Sequence, residues 1–74
     1  MNNMSKEEFN RVVGINIQAV RKRASKSQDE LAKELKVTTR TIQNYEKGKS
    51  VDFFVIKKLS EAFKCDVNDF LVGL

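Results

Sequence analysis

The sequence predicts an all-α fold, one compact domain of five helices with a tight turn between two of them. Three observations predict it. Apolar residues recur at helical spacing along most of the chain, from Phe9, Val12, Val13, Ile17 and Val20 to Phe53, Ile56, Leu59 and Phe63. No apolar–polar alternation runs long enough to build a sheet. Proline is absent, and 41% hydrophobic with 32% charged residues is the composition of a packed protein rather than a disordered one. A chain of 74 residues makes a single domain. At that size only about 60% of the unfolded surface is buried on folding, so stability should be modest and a partner subunit would help.

Met1 to Met4 reads as a frayed start. Ser5 and Glu8 then form a capping box, in which the serine hydroxyl and the glutamate carboxylate each satisfy a backbone N–H at the helix start. The first helix should run to about Arg23, with Gly14 weakening its middle by about 1 kcal/mol relative to alanine and leaving room for a kink or a late start. Ser27 and Glu30 repeat the capping box and begin a second helix, with Leu31, Ala32 and Leu35 on one face. A break follows near Lys36. Thr38 caps the third helix, where Val37, Ile42 and Tyr45 form an inward face and Ala32 is small enough to let Ile42 approach. Gly48 is its left-handed terminator, just beyond Lys47. Asp52 caps a fourth helix with an inward stripe of Phe53, Ile56, Leu59, Ser60 and Phe63. Asp66, with Asp69 as its capping partner, opens a short fifth helix, and Val67, Phe70 and Leu71 should close the bottom of the core. Phe54, Val72 and Leu74 are left over, as scattered surface residues or as a dimer face.

The third helix is unusual in its outward positions, Thr38, Thr39, Arg40, Gln43 and Asn44. A solvent-facing helix would favour Glu, Lys and Ala. Amides, hydroxyls and a guanidinium are instead the groups that read base edges: Asn and Gln pair with adenine, Arg with guanine, and the Thr methyl meets the thymine methyl. From Lys36 through Tyr45 there is no carboxylate to repel phosphate. The alternative is a threonine-rich surface helix that contacts nothing. The formal charge of +4 favours an anionic partner, and its distribution is more telling. Arg21, Lys22, Arg23 and Lys26 precede the two-helix unit, and Lys47 and Lys49 follow it. Gln28, at the start of the second helix, adds a side-chain amide to free backbone N–H groups and so forms a phosphate clamp, unless it is merely solvated.

Other function classes are excluded or disfavoured. Cys65 is alone and histidine is absent, so neither a disulfide framework nor a Cys/His metal site is expected, and the thiol reads as part of the core. No apolar run approaches the roughly 18 residues of a membrane span, and no cleavable leader is recognisable. The expectation is a cytoplasmic protein without cofactor, metal or small-molecule ligand. Catalysis fares worst, because no nucleophile lies beside a base.

Residues Val13-Gly14 to Val20-Arg21, Ser27 to Ala32, Leu35, Val37-Thr38, Thr41-Ile42, Tyr45 to Lys49 and Asp66 to Leu71 together resemble the phage-repressor and Cro type helix-turn-helix family, also named after the xenobiotic response element. The resemblance implies a lambda-repressor-like DNA-binding domain over residues 13–74, preceded by an extension and the start of the first helix at 1–12. It implies dimers whose third helices read half-sites about 34 Å apart. By that likeness Thr39, Arg40 and Asn44 face base edges, while Thr38 and Gln43 contact bases or phosphate less regularly. Gln28, Lys47 and Lys49 contact phosphates. Arg21 and Glu46 match an ion pair joining the first and third helices. The pairing has independent sense, since Glu46 is the only acid between Glu34 and Asp52 and would repel phosphate unless neutralised; the alternative is an unpaired surface residue. Where the family has glycine in three turns, this chain has Ser25, Lys36 and Lys64. If those positions keep φ > 0, each costs about 1 kcal/mol; otherwise the turns change shape. Lys26 also replaces a common apolar residue.

The expected function is a homodimeric, sequence-specific transcriptional regulator such as a repressor, acting on double-stranded DNA with no room for a separate effector domain. The alternative is an antitoxin-like interaction module that binds DNA secondarily, using Phe54 and the C-terminal apolar residues for its partner.

Overall fold

The computed structural model describes residues 4–74. Four α-helices follow one another: α1 Lys6–Arg23, α2 Gln28–Leu35, α3 Thr39–Glu46 and α4 Phe53–Phe63. A 3-10 turn, Val67–Phe70, ends the order. Apart from Met4, the expected frayed start lies outside the described residues.

Both capping boxes are formed. Ser5 Oγ accepts from Glu8 N at 3.1 Å while Ser5 N donates to the Glu8 carboxylate at 2.9 Å, and Ser27 and Glu30 repeat the exchange at 3.0 and 2.7 Å. The backbone and side-chain hydrogen bonds from each serine hold Glu8 and Glu30 below the usual carboxylate range. Thr38 and Asp52 cap α3 and α4 as the sequence predicts.

The fifth helix does not form as an α-helix. Asp69 N bonds Asp66 O and Leu71 N bonds Asn68 O, both three-residue spacings, so the segment is a single 3-10 turn. The Asp66 carboxylate accepts from Asn68 N, two residues on. Asp69 is one methylene shorter than the glutamates of the two capping boxes, and four residues are too few to offset helix nucleation.

All four helices end alike. After each comes a residue in the left-handed region, at Ser25, Lys36, Gly48 and Lys64 with φ of 58°, 59°, 80° and 54°. At each, the next residue's N–H reaches back five positions: Lys26 to Arg21, Val37 to Ala32, Lys49 to Asn44 and Cys65 to Ser60, at 2.8–3.2 Å. These are Schellman closures, which satisfy carbonyls that the helix itself leaves open. The turns thus keep the shape that glycine favours, although only one of the four has glycine.

The core gathers Val13, Ile17 and Val20 from α1, Leu31 and Ala32 from α2, Ile42 from α3, and Val55, Ile56 and Leu59 from α4, around Phe70. Phe70 is fully buried, and Cys65 packs at the edge of this cluster. The predicted stripe of α4 is correct at Ile56, Leu59 and Ser60 but not at Phe53, which is 70% exposed. Val55 takes its place. One residue into a helix, the phenyl ring points past the end of the core rather than into it. It borders instead a hollow of about 300 Å³ with Phe9, Val51, Val67 and Leu71.

Two residues of α1 have roles that spacing did not reveal. Helix α1 runs unbroken through Gly14, where a Cβ would lie 2.6 Å from both Glu46 O and Gly48 N. The glycine is therefore the point where the end of α3 rests on α1, backbone to backbone. Asn16 donates to Phe70 O at 3.0 Å and Val72 O at 2.8 Å, tying the C-terminal segment to α1. No described helix is long and apolar enough to cross a membrane.

Candidate nucleic-acid interface

Helix α3 has two different sides. Ile42 is fully buried among the core residues, whereas Arg40 is exposed and Thr39, Gln43 and Asn44 are partly so. Arg40, the longest donor of the outward set, projects into solvent. Thr38 also belongs to this side, but its oxygen is engaged: it accepts from Thr41 N at 3.1 Å and shares a hydrogen with Thr41 Oγ1 at 2.9 Å.

Glu46 turns away from this face into a set of donors. Arg21 Nε lies 2.6 Å from one carboxylate oxygen, and Arg21 Nη2, Gln28 Nε2 and Gln18 Nε2 lie 3.2, 3.0 and 3.2 Å from the other. The Glu46 side chain is only 4% exposed. Burial alone pushes its carboxyl up, but the hydrogen bonds from Arg21, Gln28 and Gln18, together with the Arg21 charge, outweigh burial and hold it below the usual carboxylate range. The one acid of α3 is thus paired inside the protein, so α3 presents no unpaired carboxylate of its own. Arg21 Nη1 also donates to Lys26 O at 2.8 Å, tying α1 to the start of the two-helix unit.

Gln28 lies at the first position of α2, and its side chain faces inward as well as outward. It donates to Glu46 and accepts from Gln43 Nε2 at 3.4 Å, so it ties the start of α2 to two residues of α3. Its second amide hydrogen and the first-turn N–H groups of α2 are the donors that a phosphate would meet. Lys47 and Lys49 are exposed on the turn after α3. Arg11 of α1 lines the same hollow as Lys47, Gly48 and Lys49, with Glu7 on its rim.

The basic cluster before α2 is smaller on the surface than its sequence suggests. Arg21 is buried with Glu46. Lys26 pairs with Glu34 and stands 5.9 Å from the Phe63 ring centre, so its stem and charge cover the apolar position that it replaces. Lys22 and Arg23 are exposed.

Sequence reasoning missed three participants, Gln18, Arg11 and Asp29. Asp29 brings a carboxylate to a face that is acid-free along the chain, since Thr39 Oγ1 donates to Asp29 Oδ1 at 2.6 Å. Its signal was present: Asp29 lies in the first turn of α2 and Thr39 in the first turn of α3, and a tight turn between two short helices crosses those ends. The leftover apolar residues are all on the surface, with Phe54 69%, Val72 65% and Leu74 38% exposed. Phe54 is on the first turn of α4, its ring 5.5 Å from the Lys58 ammonium, whereas Val72 and Leu74 follow the 3-10 turn. Among the described residues, no group of His, Cys, Asp and Glu could hold a metal ion.

A profile for the helix-turn-helix family HTH_3 matches residues 17–70, the span that holds α2, α3 and the Glu46 cluster. The chain belongs to this Cro/C1-type helix-turn-helix family. No curated protein matches the chain. Among solved structures, the clp gene regulator ClgR from C. glutamicum superposes with a TM-score of 0.80 and 22% identity, covering 86% of this chain and 84% of that one. A hypothetical transcription factor, NHTF, from Neisseria superposes with a TM-score of 0.78 and 18% identity, covering 97% and 84%. These likenesses show the fold, and membership of the Cro/C1-type family makes the chain a DNA-binding protein of the transcription-regulator class.

Proposed function

We propose that this helix-turn-helix protein is a cytoplasmic, homodimeric, sequence-specific regulator that lays α3 in the major groove of a pseudo-palindromic operator. The observation that carries the proposal is the contrast across α3. Its single acid is buried against Arg21, while Arg40 stands exposed beside the partly exposed amides of Gln43 and Asn44. Thr39, Arg40 and Asn44 read base edges, with Thr38 and Gln43 beside them. Gln28, Lys47 and Lys49 hold phosphates, and so supply affinity and register rather than sequence choice.

Phe54, Val72 and Leu74 are the proposed dimer surface. A fully buried side chain of this kind contributes about 1.5–3 kcal/mol, which a small domain would gain from a second copy. An antitoxin-like module would use the same residues for a different partner.

Selection of bound duplexes from a random pool tests the reading, and a two-fold symmetric motif with half-sites about 34 Å apart is the expected result. Arg40→Ala and Asn44→Ala should each lose about 1–3 kcal/mol of discrimination at one base pair, whereas Lys49→Ala should weaken all sequences alike. Equal losses on operator and random duplex for all three variants would overturn these roles. Binding that does not change with salt would favour the interaction module.

A further inference from the structure

We infer that Asp29 is a specificity-determining residue, which shapes the base preference of α3 by taking the one hydroxyl proton of Thr39. The inference rests on the DNA-reading role proposed for α3. The Thr39 hydroxyl donates to Asp29 Oδ1 at 2.6 Å. A carboxylate offers only acceptors, and a threonine hydroxyl owns a single proton. With that proton engaged, Thr39 shows the groove a methyl group and an oxygen that accepts but cannot donate. Thr38 and Thr41 share one hydrogen between their two hydroxyls, and Thr38 Oγ1 also caps Thr41 N, so Thr39 is the hydroxyl of the first turn whose proton is committed to a carboxylate. At residue 39 the first turn of α3 therefore offers no donor, and Arg40 beside it offers several.

Bases differ in what they present to such a surface. Guanine shows two acceptors in the major groove, cytosine a donor, adenine one of each, and thymine an acceptor with a methyl group. A threonine without a free proton, backed by a carboxylate, leaves both guanine acceptors facing other acceptors. It suits cytosine and adenine through their amino groups and thymine through its methyl. Arg40, the next residue, has the reverse preference. The pair therefore disfavours guanine at one position and favours it at a neighbouring one.

Asp29 also has an effect without sequence content, since its charge repels phosphate on any duplex. Two substitutions separate the effects. Asp29→Asn keeps a carbonyl that accepts the Thr39 proton but removes the charge, and Asp29→Ala removes both. Asp29 is exposed, so neither change opens the core. Thermal melts of each variant check that the fold is kept.

The test is selection from a random duplex pool with the native chain, Asp29→Asn, Asp29→Ala and the double variant Asp29→Ala with Thr39→Val. The native chain and Asp29→Asn should both deplete guanine at one half-site position. In Asp29→Ala guanine should recover there by roughly 5- to 100-fold relative to the other bases, with the remaining positions unchanged. The double variant, again without a donor, should restore the depletion. All three variants should bind every duplex more tightly than the native chain. The same base preferences in all four proteins, with only a uniform gain in affinity, would overturn the inference and leave Asp29 a charge effect alone. A recovery of guanine that persists in the double variant would overturn the route through Thr39. An empty selection with the native chain would instead overturn the DNA-reading role beneath it.

Discussion

Glu46 shows how one residue can serve both stability and function. A carboxylate taken out of water is costly, and here the cost is met by Arg21 and two glutamine amides rather than by one partner. Among the described residues no buried side-chain polar atom lacks a hydrogen-bond partner. Removing one side of the pair leaves an uncompensated buried charge, so Arg21→Ala should destabilise by about 3–5 kcal/mol in urea unfolding. Combining Arg21→Met with Glu46→Leu should recover most of that loss, because an apolar pair of similar volume carries no desolvation penalty. Acid sensitivity follows from the same carboxyl. Its folded pKa is lowered, so its contribution is fully present above the unfolded value of about 4.3 and is lost as pH falls through the folded value. Glu8 and Glu30 act in the same direction. Urea midpoints measured downward from about pH 7 should therefore drop below about pH 4.3, less steeply in Glu46→Gln. The pairing of Glu46 with Arg21 was implied by the family resemblance, and the isolation of Glu46 as the only acid between Glu34 and Asp52 gave it independent sense. Gln18 and Asn16 were not legible, since their partners lie 28 and at least 54 residues away and an amide on a helix looks like any solvated residue.

Helix starts and helix ends differ in how openly they are written. Four caps were readable from Ser, Thr and Asp before an apolar run, since a local hydrogen bond needs only local chemistry. The ends were readable at Gly48, and the three non-glycine ends keep the same geometry at a cost. Lys64→Gly and Lys36→Gly should each stabilise by up to about 1 kcal/mol, seen as a rise of several degrees in Tm. Gly14→Ala should have the opposite sign. Alanine is the better helix former by about 1 kcal/mol, but its Cβ would meet two backbone atoms at 2.6 Å, and overpacking of that kind costs about 1–3 kcal/mol. The variant should also bind DNA less well than its melting curve alone explains, because the displaced atoms belong to the end of α3. Sequence periodicity marks Gly14 only as a weak point in a helix. That it is a contact depends on how α1 and α3 cross. The fifth helix was misread for a related reason: Asp-x-x-Asp has the spacing of a capping box without the reach.

At the scale of the whole molecule, ten buried apolar residues from all five elements form one core, and most were visible as helical stripes. What the stripes could not show is where the core stops. Phe53 lies beyond its edge and, with Phe9, Val67 and Leu71, lines an apolar hollow, while Phe54, the next residue, is exposed. With Phe54 in the proposed dimer surface, Phe54→Glu should shift sedimentation to the monomer while leaving the melting temperature of the dilute protein nearly unchanged. Phe54 has little to lose on folding at 69% exposure, and an acid there keeps an i, i+4 partner in Lys58. The contrast across α3 has a consequence for redesign. What secures the helix is Ile42, Glu46 and the contact at Gly14, whereas what would address an operator is Thr39, Arg40 and Asn44. The two sets share no residue. Helix α3 can therefore be treated as an exchangeable cassette, in which a library over Thr39, Arg40 and Asn44, with Asp29 varied alongside its partner Thr39, changes the address while leaving Ile42, Glu46 and Gly14 in place.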